Sequence, residues 1–147
     1  MTPQELLAKL NRDIPVSKFL GFEFVEATPN RVEIRARLNE NINHKGTAFG
    51  GSLYTLSVLA AYSLVYLGVE CEKIKTNNLV IQKGDIQYMK PVTSDFDIIC
   101  EFNGVEAYQK FYEDLARWKK VREVIKVRVY CQGVLCAKLD GVFVVQL

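Results

Sequence analysis

The sequence predicts an α+β domain in which a curled antiparallel β-sheet wraps one long central buried helix, with an N-terminal helix ahead of the sheet and an extra helix between its later strands. Three observations predict it. Gly46 through Val69 contains no charged side chain. The segments on either side alternate apolar and polar residues with the two-residue period of half-buried strands. The chain has 147 residues, 49% hydrophobic and 24% charged, which suits one core of good size and leaves no room for a second ordinary domain, so residues 1–147 form a single unit.

The elements follow in order. Thr2 can cap a helix whose first residue is Pro3 and whose Glu5 can reach back, so TPQELLAKLNRDIP opens an amphipathic helix. Residues 21–27 make a first strand. Residues 31–38 make a second, with Val32, Ile34, Ala36 and Leu38 on one face and Arg31, Glu33, Arg35 and Arg37 on the other.

The uncharged run comes next and is long enough to span a bilayer if it were apolar throughout. Gly46, Thr47, Gly50 and Gly51 make its start turn-like, leaving a hydroxyl-rich helix over residues 52–67. A helix apolar nearly all round needs cover on nearly all sides, so a buried helix is expected and no membrane partner.

Residues 79–88, 96–102, 124–131 and 135–145 are strands by their β-branched and aromatic content, bounded by Pro91, Gly104 and Gly133. In the first of these Leu79 and Ile81 are odd while Ile86 and Tyr88 are even, a phase change that points to a bulge at Gly84. Tyr108, Phe111, Tyr112, Leu115 and Trp118 have helical spacing, giving a helix over residues 106–119.

Composition narrows the function. A net charge of +2 is too small to argue for nucleic acid. Cys71, Cys100, Cys131 and Cys136 form no CxxC pair, and His44 is the sole histidine, so no metal site and no cofactor are expected, and the thiols read as reduced. The first residues lack the basic start and apolar run of a secretory signal, and a cytoplasmic protein is expected.

Asn43-His44-Lys45-Gly46-Thr47-Ala48-Phe49-Gly50-Gly51 resembles the N-x-x-G-x-x-H-G-G pattern that introduces the central helix of hot-dog acyl-CoA thioesterases, with Phe49 in the place of the histidine. Ile86-Gln87-Tyr88-Met89-Lys90-Pro91-Val92 is similar to the strand ending that follows that helix. The combination most resembles the thioesterases of the YiiD C-terminal type over almost the whole chain. Some members carry an acetyltransferase as well, whereas Met1 leads here directly into the first helix, so a free-standing domain is expected.

The resemblance implies hydrolysis of acyl-CoA or acyl carrier protein thioesters in a homodimer, or a tetramer built from dimers, with each pocket between two subunits. It implies that the Gly51 amide polarises the carbonyl, which the N-terminus of a helix is suited to do, and that Gly50 and Phe49 border the acyl group. It also implies that Asn43 positions water or carbonyl. A turn-making role is the alternative for Asn43.

Other candidates come from the residues themselves. His44 is either a general base or simply solvated. Ser52, Thr55, Leu59, Tyr62, Ser63 and Tyr66 share one arc of the helix, so Tyr62 either lines an acyl pocket or packs with its neighbours. Lys120 and Arg122, in a cluster with Lys119, Lys126 and Arg128, either hold the phosphates of coenzyme A or form a solvated strand face. Ser52 lacks the G-x-S-x-G context of a serine nucleophile.

Many such thioesterases place an Asp or Glu two turns into the central helix, where this chain has Ser57, Val58 and Leu59. Asp85 is the candidate acid from elsewhere. The missing carboxylate keeps open a non-catalytic acyl-thioester-binding or regulatory protein, and a hot-dog dehydratase or hydratase is the remaining alternative.

Overall fold

The computed structural model describes residues 1–147. Helix α1 (Pro3–Asp13) begins with the expected capping box: the Thr2 hydroxyl accepts from the Glu5 amide at 3.1 Å and the Glu5 carboxylate accepts from the Thr2 amide at 3.3 Å. Strands β1 (Phe22–Ala27) and β2 (Arg31–Ala36) follow, then helix α2 (Gly50–Cys71), strands β3 (Asn78–Tyr88) and β4 (Phe96–Glu101), helix α3 (Gly104–Trp118), and strands β5 (Lys120–Cys131) and β6 (Val134–Gln146). Single 3-10 turns occupy Pro15–Phe19 and Asn39–Asn41.

All strand pairings are antiparallel, in the order β1-β2-β4-β5-β6-β3. α2 lies against the concave face and touches every strand. Leu56, Ala60, Ala61, Leu64 and Val65 of α2, and Ile34, Ile98, Val127 and Leu139 of the sheet, are wholly excluded from solvent. Each buried leucine or isoleucine contributes about 1.5–3 kcal/mol. α2 has the length and hydropathy of a membrane span; here the sheet supplies its cover. The six strands, the three helices and their order are as the sequence predicts.

Two glycines do work that periodicity does not reveal. The bulge in β3 lies at Gln82, between Ile81 and Lys83 in the register with β6, rather than at Gly84. The phase change requires one extra residue between Ile81 and Ile86 but does not locate it. Gly84 is glycine because a Cβ there would overlap the Tyr54 hydroxyl of α2. Likewise α2 runs past Gly68 to Cys71, beyond the expected end near Leu67. Gly68 is no terminator: a Cβ there would overlap the hydroxyl of Tyr112 on α3, which donates to the Val65 carbonyl at 3.0 Å.

The two outer strands are β1 and β3. α1 packs beside β1, whereas β3 is mostly exposed along its eleven residues, with Val80 58% accessible.

Candidate active site at the start of the central helix

The segment that delivers the chain into α2 is held from several sides. Asn43 closes a turn: its backbone N–H donates to Thr47 O at 2.8 Å, and its Oδ1 accepts from the amides of Lys45 at 2.9 Å and Thr47 at 3.1 Å. Its Nδ2 lies 2.9 Å from Thr47 Oγ1. Gly46 completes the turn at φ +78°, the left-handed region that glycine enters freely. Beyond the turn, the Ala48 amide donates to Val92 O at 2.9 Å and the Phe49 amide to Asn41 O at 2.7 Å. Asn41 is itself buried, its Nδ2 donating to Leu20 O and Arg37 O at 2.7 and 2.8 Å.

Phe49 is the N-cap residue, in an extended conformation with no side-chain cap. Its carbonyl accepts the amides of Ser52 and Leu53. The N–H groups of Gly50 and Gly51 meet no acceptor in the chain. They are the orphan donors of a helix N-terminus, where the macrodipole also favours negative charge. The exposed Phe49 ring lies over Gly51, close enough that a Cβ there would overlap it, and a Cβ at Gly50 would lie 3.3 Å from the Tyr88 ring.

Beside these amides is a cavity of about 300 Å³ walled by Ala48, Gly50, Leu53 and the segment from Tyr88 to Val92. No carboxylate lines it. The Tyr88 hydroxyl donates to Gly50 O at 2.7 Å, and burial together with the neighbouring Tyr54 pushes its phenol above the usual range, so it stays a donor through neutral pH.

A larger cleft of about 810 Å³ runs along α2 and includes Thr55, Val58, Leu59, Tyr62 and Tyr66. Tyr62 lies eleven residues beyond Gly51, about 16 Å along the helix. Lys9 of α1 sits there, donating to Asp13 Oδ2 at 2.7 Å and Tyr62 Oη at 3.3 Å, and 4.0 Å from the Tyr66 ring centre. Burial pulls the Lys9 ammonium down, but the bonds to Asp13 and Tyr62 outweigh it and hold the group above its usual range. The predicted polar arc thus divides. Thr55, Leu59, Tyr62 and Tyr66 face the cleft, while buried Ser63 turns its hydroxyl back onto Leu59 O at 2.7 Å.

Other predicted residues lie apart from the Gly50–Gly51 amides. Asp85 is on the convex face of the sheet, in register with Asp140 and near Lys126, Arg128 and Lys138; the sheet itself separates it from α2. Arg122 donates to Gln82 at 2.6 Å, and Lys120 pairs with Gln146 of β6, whereas Tyr88 pairs with Ala137. Arg122 pairs with Val144, so seven to nine residues of strand, about 23–30 Å, divide these cations from Tyr88, and within one chain they do not reach the cavity. His44 is exposed at the tip of the turn. Two turns into α2, Ser57 is fully buried with its hydroxyl unpartnered, Val58 borders the cleft, and Leu59 is 3% exposed. Neither Tyr88 nor Lys9 is evident from the sequence as a neighbour of the site: the phase of β3 places Tyr88 on the inner face but cannot aim its hydroxyl, and Lys9 reads as one more solvent-facing cation on an amphipathic helix.

Free backbone donors at a helix start, beside a cavity whose one charged lining residue is Lys90, suit a ligand carbonyl on which negative charge develops. The chain matches, over residues 3–147, the family described as "Putative thioesterase (yiiD_Cterm)". It is 28% identical to a protein described as a "putative thioesterase" from Shewanella oneidensis, with a TM-score of 0.87 and coverage of 99% of this chain and 97% of that one. A protein of unknown function from Chlorobaculum tepidum is also 28% identical, with a TM-score of 0.88 and coverage of 98% and 93%. Thioesterase superfamily member 2 from Mus musculus, 17% identical with a TM-score of 0.70 over 100% of this chain and 99% of that one, shares the fold. The sheet wound about α2, the Gly50–Gly51 entry and a family match over nearly the whole length together make this chain a member of the YiiD C-terminal thioesterase family, built on the hot-dog fold.

Proposed function

We propose that the protein hydrolyses acyl-CoA or acyl carrier protein thioesters. The observation that carries this reading is the free Gly51 N–H at the start of α2, beside a cavity with no carboxylate to repel a developing oxyanion. Water attacks the thioester carbon, and the carbonyl oxygen takes up the electron pair and is stabilised by the Gly51 N–H. Collapse expels the thiolate, which gains a proton as the attacking water loses its own, leaving a carboxylic acid and a thiol. Gly50 and Phe49 border the acyl carbonyl, and the cleft with Tyr62 receives the chain. Asn43 serves by fixing the turn, since both of its carboxamide ends are used there. His44, open to solvent, is the one imidazole near the entry segment.

A second copy covers the open edge of β3, because a long exposed edge strand is a template for pairing. Light scattering at micromolar protein should give at least a dimer; a monomer with full activity would refute this.

One observation favours a second reading. Ser57, Val58 and Leu59 supply no acid to activate water, which suits a protein that binds acyl thioesters without cleaving them. Thiol release measured over an acyl-CoA panel, with binding measured in parallel, separates the two. Release on at least one substrate supports hydrolysis, and tight binding without release supports the second reading.

A further inference from the structure

We propose that Tyr88 is a positioning residue for the carbonyl-polarising amide, its hydroxyl fixing and polarising the Gly50–Gly51 peptide; this rests on the function proposed above. The Tyr88 hydroxyl donates to Gly50 O at 2.7 Å. That oxygen and the Gly51 N–H belong to one peptide unit. Amide resonance couples its two ends, so a proton held against the oxygen draws electron density from the nitrogen and strengthens the N–H as a donor. Chained hydrogen bonds reinforce one another in this way by roughly 10–30% per bond. The same contact restrains rotation of the peptide plane, so the N–H is aimed before substrate arrives, which is the condition for electrostatic preorganisation.

The anchor is rigid. Tyr88 ends β3 in register with Ala137, and the amides of Met89 and Lys90 that follow both donate to Cys136 O, at 2.8 and 3.0 Å. The ring also lies against Gly50, where an added Cβ would sit 3.3 Å away. The hydroxyl thus reaches the helix from the sheet, independently of the turn that Asn43 closes.

Tyr88→Phe in the full chain tests this, since Tyr88 is 54% exposed and the substitution removes only the hydroxyl. The expected result is a fall in kcat on the order of tenfold with KM changed by less than about twofold. The Gly50 carbonyl carbon and Gly51 amide nitrogen should shift in the NMR spectrum, with melting temperature unchanged. Unmoved signals, or moved signals with unaltered kcat, overturn the inference and leave the proposed function standing. A third arm uses an acyl-CoA analogue whose thioester sulfur is replaced by methylene, with a 13C-labelled ketone carbonyl. Its stretching frequency should drop on binding the wild type and recover partly in Tyr88→Phe. A wild type that cleaves no thioester yet shows this pattern loses hydrolysis but keeps the role of Tyr88. A wild type that neither cleaves any thioester nor binds the analogue removes both.

Discussion

The two ends of α2 use one device to different purposes. At each, a tyrosine hydroxyl from a neighbouring element donates to a carbonyl of the helix across a glycine that leaves room for the ring: Tyr112 to Val65 O over Gly68, and Tyr88 to Gly50 O against Gly50 itself. At the C-terminal end the contact is sealed. Tyr112 is 5% exposed and packs with Phe102, Tyr108 and Phe111 at ring separations of 4.7–6.2 Å, while Tyr108 donates to Glu72 at 2.8 Å. At the N-terminal end Tyr88 and Phe49 are more than half exposed and the amides beside them are free. The same hydrogen bond locks packing where it is buried and aims a peptide where it is open. Under the function proposed here, stability is concentrated at one end and chemistry at the other.

That contrast can be broken most strongly at Gly51. Gly51→Pro deletes the free N–H at a first-turn position that tolerates proline, and should lower kcat by about 10²–10³-fold with melting changed far less. The Phe49 ring that a new Cβ would meet is exposed and can swing aside. A proline variant with normal turnover would dissociate the amide from catalysis.

Gly68→Ala tests the opposite end. Its methyl meets a buried, hydrogen-bonded Tyr112, so overpacking should cost about 1–3 kcal/mol, read in denaturant melts, while activity per folded molecule holds. Loss of turnover at unchanged stability would mean that the two ends are not separable.

Asn43 sharpens the comparison by a pair of variants. Asn43→Ala leaves the amides of Lys45 and Thr47 without their side-chain acceptor and should cost on the order of 1 kcal/mol. Asn43→Asp retains an acceptor oxygen and should keep both stability and activity. An Asp variant that folds normally but turns over about a hundredfold more slowly would restore a direct role for the carboxamide.

The smallest effect belongs to Ser57, whose hydroxyl is fully buried and unpartnered. An unsatisfied buried donor carries a desolvation penalty, so Ser57→Ala should be neutral or raise stability by up to about 1 kcal/mol in the same melts. A clear loss would show that the hydroxyl has a partner in the assembled protein.

The sequence was legible where one face of an element meets one environment. Val32, Ile34 and Ala36 against Glu33 and Arg35 identified β2, and Thr2, Pro3 and Glu5 identified the start of α1. It was less legible where a residue answers to something distant. Gly84 and Gly68 look like local breakers because the rings that require them, Tyr54 and Tyr112, lie 30 and 44 positions away in the chain. Gln82 gives no hint of a bulge, since its bond to Arg122 depends on the sheet already being formed. The Gly50–Gly51 entry was visible through its motif. The hydroxyl of Tyr88 was not, because 38 residues separate it from Gly50.

The strand order has a consequence for synthesis. β3 pairs only with β6, and β6 is the last strand made, beginning at Val134, about 45 residues after β3 ends. At 5–20 residues per second, roughly 2–9 s pass before β3 has any partner from its own chain. Its apolar Leu79, Val80, Ile81 and Ile86 are open for that interval. Lys83 and Asp85, together with the bulge at Gln82, interrupt that stretch with charge and an irregular backbone, so mispairing of the nascent strand is disfavoured until β6 holds it in register, and only then does its outer edge offer a second copy an ordered template.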